Sequence, residues 1–149
     1  GNLEDSSMMA KRLSSRTQFV CASPDYLARF GEPHSLSELG KHNCLQGTLE
    51  HWRFQDRGKA HNIKVKGSVH CNSGPALVDA ALKGIGIVQL PDYYVKPFIE
   101  KGQLIPLLEQ NQEASEGVWA LYPHNRHLSP KIRLLIDYLG QALETPNTQ

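Results

Sequence analysis

The stretch 67-GSVHCNSGPALVDAALKGIGIVQLP-91 decides the fold, because its apolar periodicity changes twice. An alternating apolar segment ends at Cys71. Leu77, Val78, Ala81 and Leu82 then recur at spacings of three and four, the stripe of an amphipathic helix, while Asp79 and Lys83 fall on the wet face. Gly84 and Gly86 stop that helix, and Ile85, Ile87, Val88 and Leu90 form a short, nearly continuous apolar run, the pattern of a strand buried on both faces. The order predicts a β-α-β unit. Asn72, Ser73 and Gly74 stand where the helix begins, with Pro75 in its first turn.

Working upstream, Phe19 to Ala22 reads as a short strand, Ser23 as the cap of a short helix opened by Pro24, and Gly31 as its left-handed end. "SLSELGKH" gives another helical turn. From His51 to Cys71 the chain alternates around "DRGK", with Trp52 and Phe54 on one strand face and Ile63, Val65 and Val69 on another, the pattern of a hairpin.

Downstream, "YYVKPFIEKG" is a helix that tolerates Pro97 only near an end or with a kink. "QLIPLL" is an edge strand because Pro106 removes a donor, "EQNQEASEG" is a surface loop, and "VWALYP" is a strand. The last and longest helix is capped by Ser129, opened by Pro130 and striped by Ile132, Leu135, Ile136, Leu139 and Leu143. Strands alternating with helices predict an α/β class with a mainly parallel sheet.

A chain of 149 residues, 40% of them hydrophobic, is long enough to bury a core, as one or two compact units. Its 16 Lys+Arg against 15 Asp+Glu leave a net charge of +1, so the chain lacks the clustered basic face that phosphate-backbone binding needs. Cys21, Cys44 and Cys71 are odd in number and widely spaced, which suits a reducing cytoplasm and small buried hydrophobes better than disulfides or zinc. Asp79 and Lys83 break the most apolar region, so no membrane span is expected, and the N-terminal residues carry no export signal.

The candidate chemistry is sparse. The glycines of "GIG" follow a helix instead of preceding one, which excludes a dinucleotide fingerprint. His124 and His127 in "HNRH" lack further ligands at matching spacing, and no nucleophile elbow, zinc-protease motif or Walker loop occurs. Neither metal nor cofactor is expected, and nothing asks for an enzyme. Asn72, Ser73 and Gly74 remain. A helix start presents unpaired N–H groups to which an anion can bind, helped by a hydroxyl, an amide and a glycine that permits close approach. The same residues equally serve as an ordinary cap. Both readings stay open on the residues alone.

"FVCASPDYLARFGEPHSLSELGKHNCL", "WRF", "GSVHCNSGPALVDAALKGIGIVQLPDYYV", "KGQLIPLL" and "WALYPHNRHLSPKIRLLIDYL" resemble, in order and spacing, the effector-binding domain of LysR-type transcriptional regulators. The opening "GNLEDSSMMAKRL" resembles the segment preceding them, so the likeness covers nearly the whole chain.

The resemblance implies a periplasmic-binding-protein-like fold, with two α/β subdomains facing each other across a cleft that holds a small effector. It implies three segments: 1–22 as remnant of the first subdomain and first hinge strand, 23–116 as the second subdomain, and 117–149 as the return hinge strand and the first subdomain's C-terminal helix. It also implies that the DNA-reading winged helix-turn-helix, the linker helix and most of the first subdomain lie outside this chain. Asn72, Ser73 and Gly74 become the expected effector contacts, with Ser23 near one hinge strand and Tyr122 on the other. The apolar stripe of the last helix then lacks its usual cover, so a dimer is expected, with exchange of the C-terminal helix as one route. A solute-binding protein serving transport is the alternative on the same fold.

Overall fold

The computed structural model describes residues 8–123 and 130–144, in two units: residues 17–114, and residues 8–16 with 115–144. The chain crosses between them at Arg16–Thr17 and again at Ala114–Ser115.

In the larger unit, β2 (Gln18–Ala22) is the middle of a three-stranded sheet between β5 (Val88–Pro91) and β6 (Ile105–Leu107). Both pairings are antiparallel, contrary to the mainly parallel sheet expected from the sequence. Among the described residues, parallel character is confined to single bridges, Cys44 to Ile87 and Gln46 to His70. The segment around Cys44–Gln46 thus lies between the two ends of the β-α-β crossover, held by Leu45 N–H to the Ile87 carbonyl at 2.8 Å and Gln46 N–H to the Val69 carbonyl at 2.9 Å. Alternation of strands with helices constrains class; it does not say which strands become neighbours, and this intervening segment is too short to read from periodicity.

The sheet is buried on both faces, and the period-2 geometry of its strands explains the division. Val20 and Ala22 of β2 point toward Tyr26 of α1 (Pro24–Phe30), Leu39 of a 3-10 turn, and Trp52 and Phe54 of β3 (His51–Asp56). Cys21 points the other way, where α2 (Gly74–Leu82) and α3 (Asp92–Glu100) cover it with Leu77, Val78, Ala81 and Val95. Burial of each large side chain stabilises by about 1.5–3 kcal/mol.

The expected caps are present: the Ser23 hydroxyl accepts from Tyr26 N–H at 3.1 Å, and Gly31 ends α1 with φ +84°. β3 and β4 (Lys59–Lys64) form the expected hairpin through Arg57 and Gly58, both with positive φ. Ile63 and Val65 join Trp52 and Phe54 in one cluster. Pro106 sits in edge strand β6, as expected. Two details differ. Ile85 is exposed, because the chain is still turning there after Gly84, at φ +76°. Pro97 lies inside α3, leaving the carbonyl of exposed Tyr93 without its helical donor.

The smaller unit pairs β1 (Met8–Arg16) with β7 (Glu116–Pro123) in an antiparallel ribbon, with α4 (Pro130–Glu144) packed on β1. β1 was not expected, since "MMAKRLSSR" carries no alternation; its pairing slips between Arg12 and Ser14. Of the predicted α4 stripe, Ile136 is half-buried while Leu135 and Leu139 are exposed; Gly140 is buried, against Leu13. The side chains of Ile132 and Leu143 lie outside the described residues, as do Ser129, His124 and His127 entirely.

Candidate functional site

The start of α2 is largely self-satisfied. The Ser73 hydroxyl accepts from Ala76 N–H at 3.3 Å, Leu77 N–H donates to the Ser73 carbonyl at 3.1 Å, and Pro75 has no N–H to offer. Of the first-turn donors, Gly74 N–H is the one that neither cap nor helix consumes. Gly74 is required for another reason: a Cβ there would stand 2.5 Å from the Tyr94 ring, so the glycine lets α3 pack against α2. Asn72 is exposed, and Ser73 half-buried.

Beside this helix start lies a hollow of about 190 Å³. Gly47 joins the two features: a Cβ on it would meet Leu77 at 3.8 Å and the Cys71 carbonyl at 3.9 Å. Gly47 and Thr48 form one wall, Trp52 and Arg53 of β3 another, and Gln18 of β2 and Gln89 of β5 complete the lining. Gln89 fixes the geometry, since its amide accepts from Arg53 N–H at 3.0 Å and donates to the Arg53 carbonyl at 2.8 Å. Gln18 is the first residue of β2, so the hollow opens at the end of the unit where the chain enters.

Ser23 belongs to the opposite end. It is 3% exposed, caps α1, and lies beside Gly84, at the C-terminus of α2. Nine residues of helix at about 1.5 Å each put roughly 13 Å between Ser73 and Ser23. Asn72, Ser73 and Gly74 do not themselves line the hollow; they follow Cys71, whose carbonyl stands close to Gly47 on its wall, and Ser23 is not brought there. Tyr122 pairs with Met9 in the β1–β7 ribbon, and its side chain lies outside the described residues.

Sequence reasoning missed Thr48, Gln18 and Gln89. Gln89 carried a signal, as the polar interruption of an otherwise apolar run; Thr48, in a loop, and Gln18, at the start of β2, carried none. Cys21 and Cys44 are buried and Cys71 half-buried; burial pushes the Cys21 and Cys44 thiols up to about 12, which makes them poor nucleophiles. Among the described residues, no three His, Cys, Asp or Glu side chains gather as metal ligands, and no helix is long and apolar enough to cross a membrane.

The LysR substrate binding domain family matches residues 1–144. The chain belongs to that family. It is 32% identical over 137 residues to the transcriptional activator TtdR of Escherichia coli, covering 89% of this chain and 44% of TtdR. The regulatory domain of CrgA, a LysR-type transcriptional regulator from Neisseria meningitidis, superimposes with a TM-score of 0.74 at 34% identity, covering 94% of this chain and 71% of that domain. Full-length AphB, a virulence activator of Vibrio cholerae, gives a TM-score of 0.79 at 27% identity over 93% of this chain and 49% of AphB. The LysR chain thus has the periplasmic-binding-protein-like fold of LysR regulatory domains, and spans less than half the length of TtdR. These relatives are transcriptional regulators, and the transport alternative finds no support among them.

Proposed function

We propose that this chain is the effector-sensing part of a cytoplasmic transcriptional regulator, and that the hollow beside the start of α2 carries its share of the effector site. What supports this reading is the family membership together with Gly47, which lines the 190 Å³ hollow and stands close to Leu77 and to the carbonyl of Cys71, the residue before Asn72. The ligand is a compact polar molecule with an acceptor or anionic group, met by Gly74 N–H, the Asn72 amide and the Thr48 hydroxyl. Ser23, spent on the cap of α1 at the far end of α2, is not a contact of this hollow.

The action is a switch without bond-making. An effector that binds one conformation better than another shifts the equilibrium by its differential affinity, and the longer protein relays the shift to a DNA-binding domain outside this chain. The high thiol pKa values of Cys21 and Cys44 agree with a sensor that performs no nucleophilic chemistry.

In the longer regulator, Asn72→Ala combined with Ser73→Ala is expected to abolish the transcriptional response to effector while DNA binding persists. An unchanged dose response removes this site.

A second copy of the chain is the proposed partner, covering the exposed row of Leu134, Leu135, Tyr138 and Leu139 on α4. Sedimentation should show a concentration-dependent dimer, weakened by Leu135→Glu. A monomer at all concentrations contradicts the pairing.

A further inference from the structure

The last residues of the larger unit are held to β3 by side chains. Gln55 donates both Nε2 hydrogens, to the Gln110 carbonyl at 3.0 Å and the Gln112 carbonyl at 3.2 Å, while its Oε1 accepts from Gly58 N–H at 3.0 Å. Asn111 Nδ2 returns a bond to the Gln55 carbonyl at 3.1 Å. Two residues earlier on β3, the Arg53 side chain reaches Glu113 at 4.0 Å, and its backbone is pinned to Gln89 of β5. Ala114 follows at once, and there the chain leaves the unit.

β3 therefore serves two neighbours. Its first half, His51 to Arg53, walls the hollow; its second half, through Gln55, grips the exit segment. A strand is stiff along its length, so a displacement of Trp52 and Arg53 carries Gln55 with it. The grip falls on main-chain carbonyls, so it fixes the path of residues 110–112 irrespective of their side chains.

We propose that Gln55 is a positioning residue that couples occupancy of the hollow to the exit of the unit at Ala114. The coupling rests on the reading of the hollow as the effector site; the clamp itself does not. Filling the hollow moves or stiffens β3, and Gln55 passes the change to the segment that leads out of the unit.

The test needs no identified ligand. Thr48 is exposed on the rim of the hollow, so Thr48→Trp fills it in place of an effector. Hydrogen–deuterium exchange is followed on the full chain for wild type, Thr48→Trp, Gln55→Glu and the double variant. Gln55→Glu keeps the acceptor for Gly58 N–H and the side-chain length but sets a carboxylate against two carbonyls; Gln55→Met, isosteric and without donors, replaces it if that variant does not fold.

Loss of the clamp should raise exchange of residues 110–114 about tenfold and leave α2 and β5 unchanged. Thr48→Trp should alter exchange of 110–114 by about threefold or more with Gln55 present, and leave it unchanged without. The proposal is overturned if Thr48→Trp leaves 110–114 unaltered in wild type, or alters them equally with and without Gln55. Loss of the effector response in Asn72 and Ser73 variants alongside such a result would spare the effector site and remove only the coupling; intact coupling in a protein that binds no small molecule would do the reverse.

Discussion

Two serines, Ser23 and Ser73, start two helices on opposite faces of one sheet, and the difference between them separates a cap from a site. Both precede a proline in the first turn, and both accept a backbone N–H three residues on, at 3.1 and 3.3 Å. Ser23 is enclosed by Gly84, Asp25 and the buried Tyr26. Ser73 is half-open, with exposed Asn72 before it and the Gly47–Thr48 wall of a hollow nearby. Capping chemistry is common to both ends, and the room beside it belongs to one.

The largest expected effect tests what holds the open end in place. Gly74→Ala drives a Cβ into the Tyr94 ring and should cost about 1–3 kcal/mol of unfolding free energy in a urea titration. Adding Tyr94→Leu should restore part of it; no recovery would mean that the glycine serves something other than helix packing.

The two caps should then differ in cost. Ser23→Ala strands a buried N–H and is expected to lose about 1–2 kcal/mol, whereas Ser73→Ala, half-open to water, loses about 0.5–1 kcal/mol. Equal losses would erase the contrast in stability between the two ends.

The smallest effect is a pH dependence confined to the closed end. The Tyr26 hydroxyl and His42 Nδ1 are 2.7 Å apart, and Asn43 N–H donates to the same hydroxyl at 3.3 Å, so the phenol O–H donates to a neutral imidazole. Burial lowers the His42 pKa, with Glu38 opposing. A folded-state value below the usual one, about 6.5, makes this contribution complete above that pH and lost as pH falls through the lower folded value. Urea midpoints taken from pH 8 to pH 5 should fall more for wild type than for His42→Gln, and a parallel decline would contradict the assignment.

Legibility in the sequence followed the strength of local signals. Ser23–Pro24, Ser73–Pro75, Gly31 and Gly84 marked helix ends because capping and positive φ demand particular residues. The stripe Leu77, Val78 and Ala81 marked the buried face of α2 for the same local reason. Strand direction was not legible, since Cys44–Gln46 enters the sheet through two bridges that no periodicity announces. On the α2 side of the candidate site, Asn72, Ser73 and Gly74 carry a capping pattern that is legible in the sequence. Its other side, Gly47, Thr48 and Gln18, lies near it only through tertiary folding, and the sequence does not record that approach.

Small polar ligands are expected to choose the Ser73 end over the Ser23 end. Amide NMR of the labelled chain, titrated with small carboxylates and inorganic phosphate, reads both ends at once. Saturable shifts are expected at Thr48, Asn72, Ser73, Gly74 and Gln89, with Ser23 and Tyr26 unmoved. Saturable shifts gathered around Ser23 and Tyr26 while the residues of the hollow stay still would contradict this preference.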